Sequence, residues 1–209
     1  MAEQILESIE LLKGSNVHGL VDERMRQFRE LGRKSVDEIF GELCFCIMTA
    51  NFNAQRSIDI QDSVGPGFCT MEESELATKL REFGHRFPEA RARYMSEARK
   101  HVPSLKETLA EPRSEAELRK WLAENVRGLG YKEASHFMRN IGFTDVAIID
   151  FHIIDLLVRH AIIERPKTLT PKKYLEIESA LRVIAKNAEL NLAELDLYLW
   201  YMETGKILK

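Results

Sequence analysis

Lys132 and Asp150 are the residues of this chain whose types and positions best suit them to chemistry. A lysine amine is a nucleophile only when neutral. In water its pKa is about 10.4, so at neutral pH about one in a few thousand is free base. Burial and the positive end of a helix both enlarge that fraction. Lys132 falls in the first turn of an expected helix, directly after the turn Gly128-Leu129-Gly130. A neutral lysine that attacks an electrophilic sugar carbon forms an imine, which drains electrons for β-elimination. Asp150 precedes the apolar run Phe151–Ile163 and is expected to cap it, which holds a carboxylate ionised and fixed. There it could orient the amine or stabilise positive charge on a sugar whose base departs.

The turn between the two expected helices adds a third element. Two glycines two apart supply the positive-φ or close-packed backbone that a tight hairpin needs. Without side chains there, backbone N–H groups can approach a phosphate, and the following helix N-terminus favours an anion. An ordinary helix corner with a solvated lysine and a capping aspartate has the same residues, so the spacing alone leaves both readings open. His136 and His152 lie near Lys132 and Asp150, but no Cys, His or carboxylate spacing completes a metal site. Cys44 and Cys46 sit in an apolar run and are expected in the core.

The elements that position these residues are helical almost throughout. Ile5, Ile9 and Leu12 repeat at helical spacing over Gln4–Lys13, and Met25, Phe28 and Leu31 do so over Val21–Leu31. Ser35 with Glu38 forms a capping box before a helix that is apolar nearly all round after Phe40, hence central and buried. Thr49-Ala50-Asn51-Phe52-Asn53 breaks that run, and Val64–Phe68 reads as a loop. Thr70 with Glu73 caps the next expected helix; the corner Gly84-His85-Arg86-Phe87-Pro88 leads into a basic helix over Glu89–Val102. Ser114 with Glu117 opens the helix before the hairpin, Thr170-Pro171 opens another, and Asn191 with Glu194 caps the last. Val146–Ile149 is β-like but too short to build a sheet. The expected fold class is all-α, two helical subdomains around a cleft with a helix–hairpin–helix motif at about 114–141, within one unit spanning 1–209.

Bulk properties exclude some classes. With 209 residues and 44% hydrophobic composition the chain can bury a substantial core. A net charge of −3 means that nucleic-acid binding must rest on a local patch. Lys79 to Lys106 supplies one, with eight basic residues against three acids. Three cysteines, all before position 70, fit a reducing cytoplasm rather than a disulfide framework and leave no C-terminal iron–sulfur cluster. No signal peptide and no membrane-length apolar run are visible, so a soluble, cytoplasmic protein without membrane partners is expected.

Gly128-Leu-Gly130-Tyr-Lys132 followed by Ile149-Asp150-x-His152 resembles the helix–hairpin–helix DNA glycosylase superfamily. Leu43-Cys-Phe-Cys-Ile-Met-Thr-Ala-Asn51, Gly84-His-Arg-Phe87 and Leu197 to Lys209 resemble one branch of it, the type 2, archaeal-like 8-oxoguanine DNA glycosylase/AP lyases. The resemblance covers essentially the whole chain. It implies that Lys132 is the Schiff-base nucleophile and Asp150 the catalytic carboxylate. It implies that the hairpin with Gly128 and Gly130 binds DNA phosphate, often with a monovalent cation on its carbonyls, and that the chemistry needs no metal or other cofactor. Asn51, Arg86 and Phe87 match positions that fill or read the gap left by an extruded nucleotide opposite cytosine. Trp200 would stack on the flipped base, and Lys209 would help recognise its oxidised form. The implied partner is duplex DNA containing 8-oxoguanine, bound by a monomer.

One departure is Phe151, where relatives more often carry a polar or basic residue. The missing cysteine cluster argues against the iron–sulfur endonuclease branch and the adenine-specific branch, and Lys132 argues against the monofunctional alkylbase branch. Two rivals remain: the same mechanism on another lesion, and a non-catalytic helix–hairpin–helix DNA-binding module.

Overall fold

The structure is a computed structural model that describes residues 2–209. In chain order the helices are α1 (Ala2–Lys13), α2 (Asn16–Leu31), α3 (Val36–Thr49), α4 (Ala54–Val64), α5 (Gly67–Thr70), α6 (Glu73–Glu82), α7 (Pro88–Ala98), α8 (Leu105–Ala110), α9 (Glu115–Asn125), α10 (Tyr131–Asn140), α11 (Phe151–Arg159), α12 (Pro171–Asn187) and α13 (Leu192–Thr204). A 3₁₀ segment, Arg99–Ser104, joins α7 to α8. No strand occurs among the described residues. The all-α expectation holds.

The chain divides into two compact units. One comprises residues 1–30 and 138–209, the other 31–137, and the division falls inside α10. In the second unit α3 is buried from Leu43 to Met48, and Phe40, Phe45 and Ile47 are fully covered. Cys44 and Cys46 are both in that core, as expected; burial raises the Cys44 thiol well above its ordinary value. In the first unit Ile5, Ile9, Val21, Met25 and Phe28 are buried, as are Tyr174, Ile177, Leu181, Leu195 and Tyr198 of α12 and α13.

Most helix starts follow the capping residues. Ser35/Glu38, Ser114/Glu117 and Asn191/Glu194 form reciprocal capping boxes, and Thr170 caps α12 with Pro171 in its first turn. Four boundaries differ from expectation. Val64–Phe68 is not all loop, because α5 begins at Gly67. Thr70 ends α5 instead of capping α6, so Glu72 takes the cap with Glu75 as its reciprocal partner. The basic helix stops at Ala98 and tightens to 3₁₀ geometry around Pro103, which has no N–H for an α-helical ladder. α11 ends at Arg159, four residues before the apolar run does.

Val146–Ile149 forms no strand, yet side chains meet part of its buried backbone. Ala147 N–H donates to Glu178 Oε2 at 2.8 Å, Tyr174 O–H donates to the Ala147 carbonyl at 2.7 Å, and Ile149 N–H donates to Tyr174 Oη at 3.1 Å. Side chains of α12 thus replace a neighbouring strand and deliver Asp150 at the end of a rigid segment.

Candidate active site and nucleic-acid interface

The hairpin is built by apolar packing and one buried arginine. Leu122, Val126, Leu129 and Ala134 are buried between α9 and α10. Arg119 on α9, fully covered, lies with its guanidinium 5.1 Å from the Tyr131 ring centroid and 3.4 Å from Ser135 Oγ on α10. Gly128 sits at φ +94°, and a Cβ there would meet the Tyr94 ring at 2.7 Å. Glycine is required on both counts. Gly130 is not held by φ; a Cβ there would lie 3.2 Å from Glu133 Oε2, close enough that the carboxylate would have to shift by a few tenths of an ångström.

Glu133 had no signal in the sequence reading, and it is the centre of the hairpin's electrostatics. Its Oε2 accepts from Gly130 N–H at 3.2 Å, and its Oε1 lies 3.6 Å from Lys132 Nζ. The backbone N–H just before α10 is therefore taken by the protein's own carboxylate. The lysine side chain is 25% exposed, so most of it is covered.

Tyr94 also escaped the sequence reading. Besides packing on Gly128, its ring has the guanidinium groups of Arg127, Arg93 and Arg91 at 5.0, 5.6 and 5.8 Å from its centroid. Glu97 holds Arg127 at 3.1 Å and Arg93 at 3.9 Å. The basic run is therefore divided in its work. Arg91 and Arg99 turn inward onto backbone carbonyls, Arg91 to Ala50 at 2.8 Å and Arg99 to Phe68 and Met71 at 2.8 and 2.6 Å. Arg93, Arg127, Arg86, Lys100 and Lys106 are exposed.

Two further turns of the same unit carry the expected gap-reading residues. Asn51 is exposed at φ +59°, a left-handed conformation that asparagine tolerates better than most residues. Phe87 is 40% exposed, and the Arg86 guanidinium lies 5.0 Å from its ring centroid.

The other unit holds Asp150, Trp200 and Lys209. Asp150 caps α11 as expected, its Oδ1 accepting from Ile153 N–H at 3.0 Å. His152 in the first turn has the Phe151 ring 3.9 Å away on one side and the Trp200 indole at 5.1 Å, edge to face, on another. This row sets Trp200 beside the first turn of α11. The indole Nε1 is buried without a hydrogen-bond partner. Phe151 is 66% exposed. Gly128, Gly130, Lys132, Asn51, Arg86 and Phe87 thus belong to one compact unit, and Asp150, Trp200 and Lys209 to the other. Among the described residues no three His, Cys, Asp or Glu side chains gather as a metal site would require; His136 instead meets the Phe45 ring edge-on at 5.7 Å.

Residues 21–190 match the family model of 8-oxoguanine DNA glycosylases with a helix–hairpin–helix. The chain belongs to this family. It is 50% identical over 208 residues to the 8-oxoguanine DNA glycosylase/AP lyase of Korarchaeum cryptofilum, covering 99% of both chains. The crystal structure of the Methanocaldococcus jannaschii 8-oxoguanine glycosylase/lyase, solved in complex with a 15mer DNA containing 8-oxoguanine, superposes with a TM-score of 0.95 at 47% identity, covering 99% of this chain and 100% of that one. The Thermotoga maritima 8-oxoguanine DNA glycosylase superposes with a TM-score of 0.94 at 39% identity over the full length of both chains.

Proposed function

We propose that the protein excises 8-oxoguanine from duplex DNA and then nicks the strand by β-elimination through a Schiff base on Lys132. The observation that carries this is full-length similarity, at about half identity, to enzymes of that activity. The local geometry is of the right kind. Lys132 follows directly on a glycine hairpin whose flanks carry exposed Arg93 and Arg127. Asp150 is held by its cap through one oxygen only, so the second oxygen can address a sugar.

The steps balance on these residues. The neutral Lys132 amine attacks C1′ of the deoxyribose, the N9–C1′ bond breaks, and the electron pair leaves with the base, which takes up a proton. Loss of the amine's proton and opening of the sugar ring give the imine. Removal of a C2′ proton then expels the 3′ phosphate. Asp150 stabilises the positive charge that develops on the sugar. Gly128 and Gly130 let the hairpin backbone come close to a phosphate, with Arg93 and Arg127 beside it. Because Gly130 N–H is already held by Glu133, its part is close approach rather than donation.

Asn51, Arg86 and Phe87 enter and read the gap opposite the extruded base, while Trp200 and Lys209 address the base itself. 8-Oxoguanine carries an N7–H donor that guanine lacks, so an acceptor is what tells them apart. A monovalent cation fits the hairpin. The Val126 and Gly130 carbonyls each accept one backbone N–H and have a second lone pair to offer.

Borohydride trapping on an 8-oxoguanine:C duplex tests the assignment. The wild-type protein is expected to give a covalent complex and Lys132→Gln none. Absence of the wild-type complex, or an undiminished one with Lys132→Gln, overturns it. A panel of lesion duplexes in the same assay separates 8-oxoguanine from other substrates.

A further inference from the structure

His85 lies between the two turns that carry Asn51 and Arg86-Phe87, and both of its ring nitrogens are committed. Nε2 is 3.1 Å from the Met48 carbonyl, and Nδ1 is 3.1 Å from Phe87 N–H. A carbonyl only accepts, so Nε2 must carry the hydrogen. A backbone N–H only donates, so Nδ1 must be bare. The two partners together admit one state, the neutral Nε2–H tautomer. The ring also stacks on Phe52, the residue after Asn51, at 4.2 Å between centroids. His85 is 4% exposed, and its own N–H donates to the Leu80 carbonyl at 2.8 Å.

We propose that His85 is the positioning residue that sets Asn51, Arg86 and Phe87 as a single DNA-reading element. This deepens the function proposed above and rests on it, because it takes those three residues to meet DNA. The chain around each is otherwise irregular. Asn51 stands at φ +59° and Gly84 at φ +71°, conformations that surrounding contacts must hold. The imidazole ties the end of α3, the Asn51 turn and the start of α7 through one rigid ring. Arg91 makes a second tie, from α7 to the Ala50 carbonyl at 2.8 Å. A wedge or gap-filling side chain works only if its backbone is fixed before DNA arrives, since about 1 Å of misplacement can cost about 100-fold in rate.

Protonation would convert Nδ1 from acceptor to donor and set it against the Phe87 N–H. Burial lowers the His85 pKa from its ordinary value of 6.5; the Met48 carbonyl opposes this and the Arg91 charge adds to it. The charge that acts on the ring is that of Arg91 on α7; on the neighbouring backbone, Arg56 Nη1 on α4 would lie 3.4 Å from a Cβ at Gly84, and the Arg86 guanidinium lies over the Phe87 ring. The contribution of the neutral ring is complete above pH 6.5 and is lost as pH falls through the lowered folded value.

The test uses the full chain with duplexes carrying 8-oxoguanine opposite C or A. A second duplex carries 2-aminopurine opposite the lesion to report insertion into the gap. Phe87→Ala is expected to lower single-turnover excision and the fluorescence change. His85→Gln keeps a donor for Met48 but loses the acceptor and the ring. It is expected to slow excision by about 10- to 100-fold, to flatten the C-over-A preference, and to act non-additively with Phe87→Ala. In the wild type the fluorescence change should persist at pH 6.5 and fade only at lower pH, as the lowered folded value is crossed, and Asn51→Ala should not remove that dependence. If Phe87→Ala is silent, the corner does not read DNA and the proposal falls with that role. If Phe87→Ala is impaired while His85→Gln matches wild type, or if the two add, His85 is not the positioning residue. Should His85→Gln fail to fold, the wild-type pH dependence decides: a fluorescence change that stays flat from about pH 8 down to the acid limit of the folded state overturns the proposal.

Discussion

The starts of α10 and α11 meet the same electrostatic need in opposite ways. Each helix N-terminus presents unpaired N–H groups and a partial positive charge, and each is met by a carboxylate. At α10 the carboxylate comes from inside the helix. Glu133 reaches back to Gly130 N–H and holds Lys132 Nζ at 3.6 Å on the way. At α11 the carboxylate stands before the helix, as Asp150 accepts from Ile153 N–H. The first arrangement leaves the lysine as the group that reaches outward. The second leaves the aspartate. A lysine amine and an aspartate carboxylate are thus presented by the same structural device, with the capping carboxylate moved from N3 to N-cap.

Separating cap from charge at Asp150 should give the largest effect. Asparagine caps as well as aspartate does, so Asp150→Asn is expected to change folding stability by no more than about 0.5 kcal/mol. Excision should nevertheless fall by about 100- to 1,000-fold, the usual loss when an electrostatic partner of the transition state is removed. Asp150→Ala should lose the same activity and about 1 kcal/mol of stability in addition. Thermal melts beside single-turnover excision make the comparison. If Asp150→Asn retains wild-type excision, Asp150 is a cap alone and the two helix starts are not counterparts.

The Asp150 cap was legible before the structure because capping is local: one side-chain oxygen, one N–H three residues on. The same holds for Ser35, Ser114, Thr170 and Asn191. Thr70 was misplaced because Glu72 can cap as well, and α5 claimed the threonine. Glu133, Tyr94 and His85 were not legible, for two reasons. Glu133 follows Lys132 directly, and adjacent charges on a helix normally point apart; only the hairpin brings its carboxylate back to both Gly130 and Lys132. Tyr94 and His85 act on segments 34 and 37 residues away, at Gly128 and Met48. No spacing rule reports a contact of that separation. Phe151, the one departure visible in the sequence, lays its ring on His152 while remaining 66% exposed.

A smaller effect is expected at Glu133. Glutamine keeps an oxygen for Gly130 N–H, and alanine does not. Glu133→Gln should therefore melt near wild type, whereas Glu133→Ala should lose about 1 kcal/mol and bind undamaged duplex more weakly as the hairpin loosens. Equal destabilisation by both changes would mean that the ion pair with Lys132, not the cap, holds this corner.

Phe151 gives the smallest and most direct comparison of the two helix starts, because it occupies the first position of α11 and is exposed. Phe151→Lys removes a ring that lies on His152, while His152 keeps its edge contact with Trp200. An exposed substitution there should cost about 0.5 kcal/mol, part of it from a cation at the positive end of a helix. If the start of α11 faces DNA, as proposed for the α10 hairpin, the new ammonium gains a phosphate. The slope of log affinity against log salt should then steepen by about one unit. An unchanged slope would show that position 151 does not meet the DNA backbone, and would set the start of α11 apart from the phosphate contact proposed for the hairpin and its Arg93–Arg127 flank.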